Sequence, residues 1–325
     1  MTSEHQKVAL VLGASGGVGG EVAASLLRRG WRVTALARNP DAAKSGWPKG
    51  LAGPDWVRGD AMDGASVLAA AQGAAVIVHA VNPPGYRDWA TLVPVMLENT
   101  IAAARATGAR IVLPGTVYNF GPDSFDHPDE TARQAPITRK GAIRVKMEQR
   151  LKAAAEDGTP CLIVRAGDFF GPRAASNWFS QGLVQPGKPV KAITYPGRRG
   201  VGHQWAYLPD VAETIVRLLE RGEDLAPFEV FHMEGVWDAD GGRMIAAIRK
   251  ALARSDLPVR AFPWWLTVLV APFMTTMREV QEMRYLWQVP LRMRNDRLVG
   301  FLGEEPHTPL DVAVRDTLAG IGCVA

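Results

Sequence analysis

The sequence predicts an α/β protein: a Rossmann-like, doubly wound parallel sheet with a smaller C-terminal substrate-binding region. Three observations carry this expectation. An apolar run near the start leads straight into a glycine-rich turn and then a helix pattern. Strand and helix patterns go on alternating as far as Arg165, which implies parallel strands with helices on both faces. After Gly171-Pro172 the periodicity fades and Gly, Pro and polar residues take over, as in a loop-rich second unit.

Lys7–Leu12 is the first strand, and the turn after it reads Gly13-Ala-Ser15-Gly16-Gly17-Val18-Gly19. A buried strand that turns sharply into a helix needs residues without a Cβ at the turn. Gly13 permits the tight turn, Gly16 lets a pyrophosphate approach the backbone, and Gly19 lets helix and strand pack closely. The free N–H groups and the helix dipole at that N-terminus favour phosphate, so a dinucleotide site is expected at this loop, Ser15, Gly17 and Val18 included.

Gly19–Gly30 is the first helix, ending at a glycine. Trp31–Leu36 is the second strand, followed by Ala37-Arg38-Asn39-Pro40. An acid at this place would bind the 2′-hydroxyl of an NAD ribose. None is present, and the Arg38 guanidinium would instead pair with a 2′-phosphate, so NADP is expected rather than NAD. Asp55–Arg58 is the third strand and Ala74–His79 the fourth; Leu92–Thr107 is a long helix and Arg110–Leu113 the fifth strand. Gly141–Asp157 reads as a helix and Cys161–Arg165 as the sixth strand. Leu208–Glu220 is a helix opened by Pro209-Asp210. Phe228–His232 is one more short strand, and residues 238–254 are helical. The dinucleotide-binding domain is expected over 1–171, with 203–232 returning to it; 172–202 and 233–325 form the smaller substrate-binding or lid region.

These residues together resemble the extended and atypical short-chain dehydrogenase/reductases, the superfamily of the NAD-dependent epimerase/dehydratases. Gly13–Gly19 is similar to that family's GxxGxxG, and Gly59-Asp60-Ala61-Met62-Asp63 to its GDxxD. The resemblance implies that Asp60 holds the adenine amino group, with Ala61 beside it. It places Val78-His79-Ala80, running on to Val81, along the cofactor. Pro114-Gly115-Thr116 matches the strand end that supplies a catalytic Ser or Thr. Arg165–Pro172 looks like RxxxxxGP, and Trp205–Ala212 like the start of the family's DVA helix.

The family's catalytic pair is YxxxK, one helical turn apart on one helix face. Here Lys146 fits the Lys position and Ala142 stands where the Tyr would be. A methyl group donates no proton, so the usual acid is absent. The resemblance implies that Lys146 bonds the nicotinamide ribose, and isoflavone reductase-like members work with this Lys and no Tyr. Tyr118 and Thr116 are further candidates. Among the remaining groups, His79 reads as a core histidine, His127 as a surface residue, and His203, Tyr195 and Tyr207 as weaker candidate acids.

Charge and composition bound the rest. A formal net charge of +4, with Lys and Arg scattered rather than interleaved with aromatics, gives nucleic-acid binding no support. Cys161 and Cys323 are the two cysteines, far apart, and no metal-ligand spacing occurs, so no metal is expected. The polar start MTSEHQK predicts no signal peptide and a cytoplasmic setting. No apolar run reaches the roughly 18 residues of a membrane span. The most apolar segment, residues 262–273, is expected to be a buried helix or a lid. The expected partner is a small molecule, and a homodimer is compatible with the sequence. Three functions fit these readings: an NADP-dependent oxidoreductase acting on a carbonyl, alcohol or activated alkene; a nucleotide-sugar epimerase or dehydratase; and a non-catalytic, NmrA-like NADP-binding regulator.

Overall fold

The computed structural model describes residues 6–83, 88–173, 177–271 and 274–324. In chain order its first half contains β1 (Val8–Leu12), α1 (Gly17–Arg28), β2 (Arg32–Ala37), α2 (Pro40–Ser45), β3 (Asp55–Arg58), α3 (Gly64–Ala70), β4 (Val76–His79), α4 (Trp89–Thr107), β5 (Arg110–Thr116), α5 (Arg139–Glu156) and β6 (Cys161–Ala166). Then follow β7 (Asp168–Phe170), β8 (Ile193–Tyr195), β9 (His203–Tyr207), α6 (Leu208–Glu220), β10 (Phe228–His232), β11 (Val236–Asp238), α7 (Gly242–Ala251), β12 (Val259–Ala261), α8 (Trp264–Val270), α9 (Thr275–Glu282), α10 (Asp296–Leu302) and α11 (Leu310–Gly320).

Apolar runs such as VALVL, VIVH and CLIVRA are buried on both faces, as strands covered by helices on both sides must be. Along β1, Ala9 and Val11 face α1 and α6, where they meet Val22, Leu26, Val211 and Ile215. Leu10 and Leu12 face the other way, towards Val67 of α3, Leu97 and Ile101 of α4 and Leu151 of α5. The main sheet has seven strands in the order β10-β6-β5-β4-β1-β2-β3, all paired in parallel. The chain builds outward from β1 to β3, then crosses to β4 and builds the other way. The strand order therefore reverses between β1 and β4. In doubly wound folds the crevice beyond the carboxyl ends of such a strand pair is where ligands bind.

Residues 203–232 divide between two structures. β10 joins the main sheet and α6 packs against α1, but β9 pairs with β7 and β11 in a separate three-stranded sheet. A parallel pair, β8 and β12, lies beyond it. Aromatic side chains fill this second region, with Phe170, Tyr195, Trp205 and Trp287 buried against one another.

Two expectations about elements are corrected. The helical stretch 238–254 divides into β11 and α7, because Gly241 adopts φ +82° between them. The apolar segment is no buried helix: α8 buries Thr267 but leaves Trp265 68% and Leu269 62% exposed. Pro272 and Phe273 of that segment lie outside the described residues.

Candidate functional site

The glycine turn sits at the reversal point. Gly13 has φ +89°, and a Cβ there would lie 2.5 Å from the carbonyl oxygen of Ala80, just past β4. A Cβ on Gly19 would run into the carbonyl of Gly13. These two contacts press β1, α1 and β4 together, which only hydrogen in place of a side chain allows. Gly16 caps α1 with extended backbone and no side-chain bond, and the first turn of α1 carries no acidic residue. Ser15 and Gly16 are exposed and Gly17 and Val18 partly so. The loop thus offers helix N–H groups at an open, uncapped positive dipole end, a cradle suited to a pyrophosphate.

The other residues expected at the cofactor follow the carboxyl ends of β2, β3 and β4. Arg38 follows β2 and is exposed; its carbonyl takes a 3.1 Å bond from Nη1 of Arg58, at the end of β3. Asp60 follows β3, and its carboxylate closes a turn by accepting from the Met62 N–H at 3.0 Å. Ala61 is buried, held by a 2.9 Å bond from Asn99 to its carbonyl. Ala80 and Val81 are half-buried at the end of β4.

Helix α5 departs from the expectation. Thr138 caps it, its hydroxyl accepting from the Gly141 N–H at 3.0 Å, and Glu148 bonds Arg165 of β6. The face of α5 that carries Glu148 therefore points at the sheet. Residues four apart share a face, so Arg144 and Lys140 lie on it too, and both are buried. Lys146 sits about 200° around the helix from Arg144. It is exposed on the outer face, so the structure does not bring it to the crevice. Ala142 is likewise off the inward face and only half-buried.

Arg144 donates to Asn82 at 3.3 Å and lies over the Trp89 ring at 5.3 Å, which puts its guanidinium just past the carboxyl end of β4. Lys140 donates to the carbonyl of Glu279 at 3.0 Å, with a Glu279 carboxylate oxygen 3.5 Å away. Burial pushes its ammonium pKa down, against the opposing pull of Glu279 and Glu282. The Thr116–Tyr118 turn packs on the first turn of α5. Gly141 is packed so closely on the Tyr118 carbonyl that a Cβ would collide with it. Thr116 Oγ accepts from the Tyr118 N–H at 3.4 Å. The end of β4 thus lies between the glycine cradle and Arg144, and the Thr–Tyr turn packs on the turn of α5 that carries Lys140.

Residues 9–233 match the NAD dependent epimerase/dehydratase family. The chain belongs to that family. Among curated proteins it is similar to cinnamoyl-CoA reductase 1 of Oryza sativa subsp. japonica, 35% identical over 35% of this chain and 35% of the relative. It is also similar to the isoflavone reductase homolog IRL of Zea mays, 29% identical over 59% of this chain and 58% of the relative. These matches span about a third and three-fifths of the relatives' lengths. Among solved structures, UDP-glucose 4-epimerase from Bifidobacterium longum in complex with NAD+ and UDP superposes with a TM-score of 0.72, at 13% identity, over 96% of this chain and 97% of that one. At that identity the likeness concerns the fold.

As a member of the epimerase/dehydratase family, the chain has other polar groups that fold into its core. His79 donates from Nδ1 to Thr100 Oγ at 2.8 Å, because that hydroxyl is itself committed to the Met96 carbonyl; burial pushes the His79 pKa down to about 3. His203 lies buried between Asp168 Oδ2 at 2.9 Å and the Leu286 carbonyl, stacked 3.7 Å from Trp287. Tyr195 and Tyr207 are buried, which drives their phenol pKa values up and leaves them poor acids. His127 is exposed against Asp126. Lys140 and Arg144 went unnoticed as a pair in the sequence. The signal that could have found them is Glu148, the acid that meets Arg165, counted back in steps of four.

Proposed function

We propose that this protein is an NADP-dependent oxidoreductase of the short-chain dehydrogenase/reductase type, acting on a carbonyl or activated alkene. The observation that supports this reading is Arg144, which meets Asn82 just past the end of β4 against which Gly13 packs, with Lys140 one helical turn before it on the same buried face of α5. The nicotinamide cofactor, when bound, would supply a hydride as NADPH or accept one as NADP+. The backbone N–H groups of residues 15–18 would hold its pyrophosphate, Asp60 the adenine, and Arg38 the 2′-phosphate. Arg144 would hold the nicotinamide half at the end of β4. Lys140 acts as the acid: its Nζ gives a proton to the substrate oxygen, in the role the family assigns to a phenol. Burial lowers its pKa, which brings an amine closer to the range useful for proton transfer. The relatives named as reductases support this choice within the family.

The test is NADPH titration by tryptophan quenching, followed by a carbonyl and enone screen, on wild type and three variants. Arg144→Met should weaken NADPH binding at least about tenfold, about 1.4 kcal/mol. Lys140→Met should keep binding and lose turnover, and Lys146→Met should change neither. Loss in Lys146→Met with full function in Arg144→Met would reverse the assignment. NADPH binding with no turnover on any compound would favour the regulator reading, in which the Lys140–Glu279 pair stays closed.

A further inference from the structure

We propose that the outer face of helix α8 docks this protein on the surface of an anionic lipid bilayer. The observation is a cluster of large apolar side chains that the fold leaves in water. Trp265, Leu266, Val268 and Leu269 of α8, with Met274 just beyond it, are 44–68% exposed. Scattered apolar residues on a surface need no explanation; a contiguous cluster does. The inner face of α8 is already engaged. The Trp264 indole donates to the Pro196 carbonyl at 2.9 Å, and Thr267 bonds the Trp264 carbonyl at 2.7 Å and Gln281 at 3.1 Å. With the inner face held in this way, α8 is fixed with its apolar side outward.

Charge identifies the occupant. No basic residue stands within α8, but the fold brings arginines to it from other elements. Arg260, in β12 just before it, is exposed, as is Arg278 of α9, the helix packed against α8. Arg198 and Arg199, both exposed, follow Pro196, the residue that holds the Trp264 indole. The carboxylates of α9 are largely engaged inward, Glu279 by Lys140 and Arg139 with Arg278 at 3.9 Å, and Glu282 by the N–H of Arg139. An apolar face that carries a tryptophan inside a basic rim matches the headgroup region of an anionic membrane, where apolar burial and attraction to anionic lipid act together. Among the described residues no helix is long and apolar enough to cross a membrane, so the contact is with one leaflet.

The experiment is flotation of the full chain with vesicles of phosphatidylcholine alone and of equal parts phosphatidylcholine and phosphatidylglycerol. Wild type should float with the anionic vesicles, poorly with the neutral ones, and less as salt is raised to about 0.5 M. The double variant Trp265→Ser/Leu269→Ser should lower the bound fraction at least tenfold while its thermal melt stays at the wild-type temperature, since both side chains are exposed. Arg260→Glu/Arg278→Glu should remove the preference for anionic vesicles. Wild type that does not float, or a double serine variant that floats as well as wild type, overturns the proposal. So does a dimer in solution that the serine variant abolishes without any vesicle binding, which would assign the face to a second copy of this chain.

Discussion

Glu148 and Arg165 clamp helix α5 to strand β6: the carboxylate accepts 3.1 Å from Nε and 2.6 Å from Nη2, with both side chains buried. Each partner makes a further contact. Gln134 donates to Glu148 at 2.9 Å, and Arg165 donates to His232 Nε2 at 2.8 Å. This pair sets the rotation of α5, and so decides which of its cations reach the crevice.

Removing one partner of such a pair leaves the other charge buried and alone. Glu148→Ala should therefore cost about 3–5 kcal/mol. Urea unfolding of the variant checks this, and a loss below about 1 kcal/mol would mean the pair is solvated in solution.

Cofactor choice should follow Arg38. NADPH should bind more tightly than NADH by about 1–3 kcal/mol if the guanidinium meets the 2′-phosphate. Arg38→Ala should erase most of that difference while leaving NADH affinity nearly unchanged. Equal wild-type affinities for the two dinucleotides would count against the assignment.

The glycines of the turn should separate binding from folding. At Gly16 a Cβ meets one atom, the Gly13 carbonyl oxygen at 3.2 Å, and its φ of −91° suits any residue. Gly16→Val should fold yet lose NADPH binding by occupying the cradle. Gly19→Ala, whose Cβ collides with the Gly13 backbone, should lower the melting temperature as well. Circular dichroism together with NADPH titration distinguishes the two behaviours.

Two buried histidines predict acid sensitivity. Burial, reinforced by Arg144 beside His79 and by Arg165 beside His232, lowers both pKa values to about 3 from 6.5. The unfolded chain takes up these protons below about 6.5 and the folded chain does not. The stability they confer is therefore complete above pH 6.5 and is lost as the pH falls towards 3, at up to about 1.4 kcal/mol per pH unit for each histidine. Unfolding free energies between about pH 6 and pH 5 should show this slope, and His232→Gln should remove about one proton's worth of it. An unchanged slope in the variant would show that His232 is already protonated in the fold.

The main sheet was legible in the sequence because its strands are short apolar runs punctuated by glycines. The turn at Gly13–Gly19 and the strand ends at Arg38, Asp60 and Ala80 were found where the structure has them. The rotation of α5 was not legible. Its helix offers Lys140, Arg144 and Lys146 in succession, and only the Glu148–Arg165 contact, made between residues 17 apart in sequence, says which face is inward. The second region was less legible still. β7, β9 and β11 are three to five residues long, and their partners lie far along the chain. The exposure of α8 also depends on neighbours from β12 and α9 that no local pattern reveals.

The parallel pairing of β10 with β6 has a consequence for synthesis on the ribosome. Phe228–His232 closes the edge of the sheet opposite Cys161–Arg165, and His232 completes the partners of the Arg165 guanidinium. Between them the chain makes the whole excursion through β7, β8 and β9. A nascent chain that has just emerged past β6 thus carries an open strand edge, a hazard for pairing with another chain. It also holds an arginine whose full set of bonds waits for residue 232. The edge can close only after the second region's strands have left the exit tunnel, so for this chain the late-made segment governs when the early-made sheet becomes safe from aggregation.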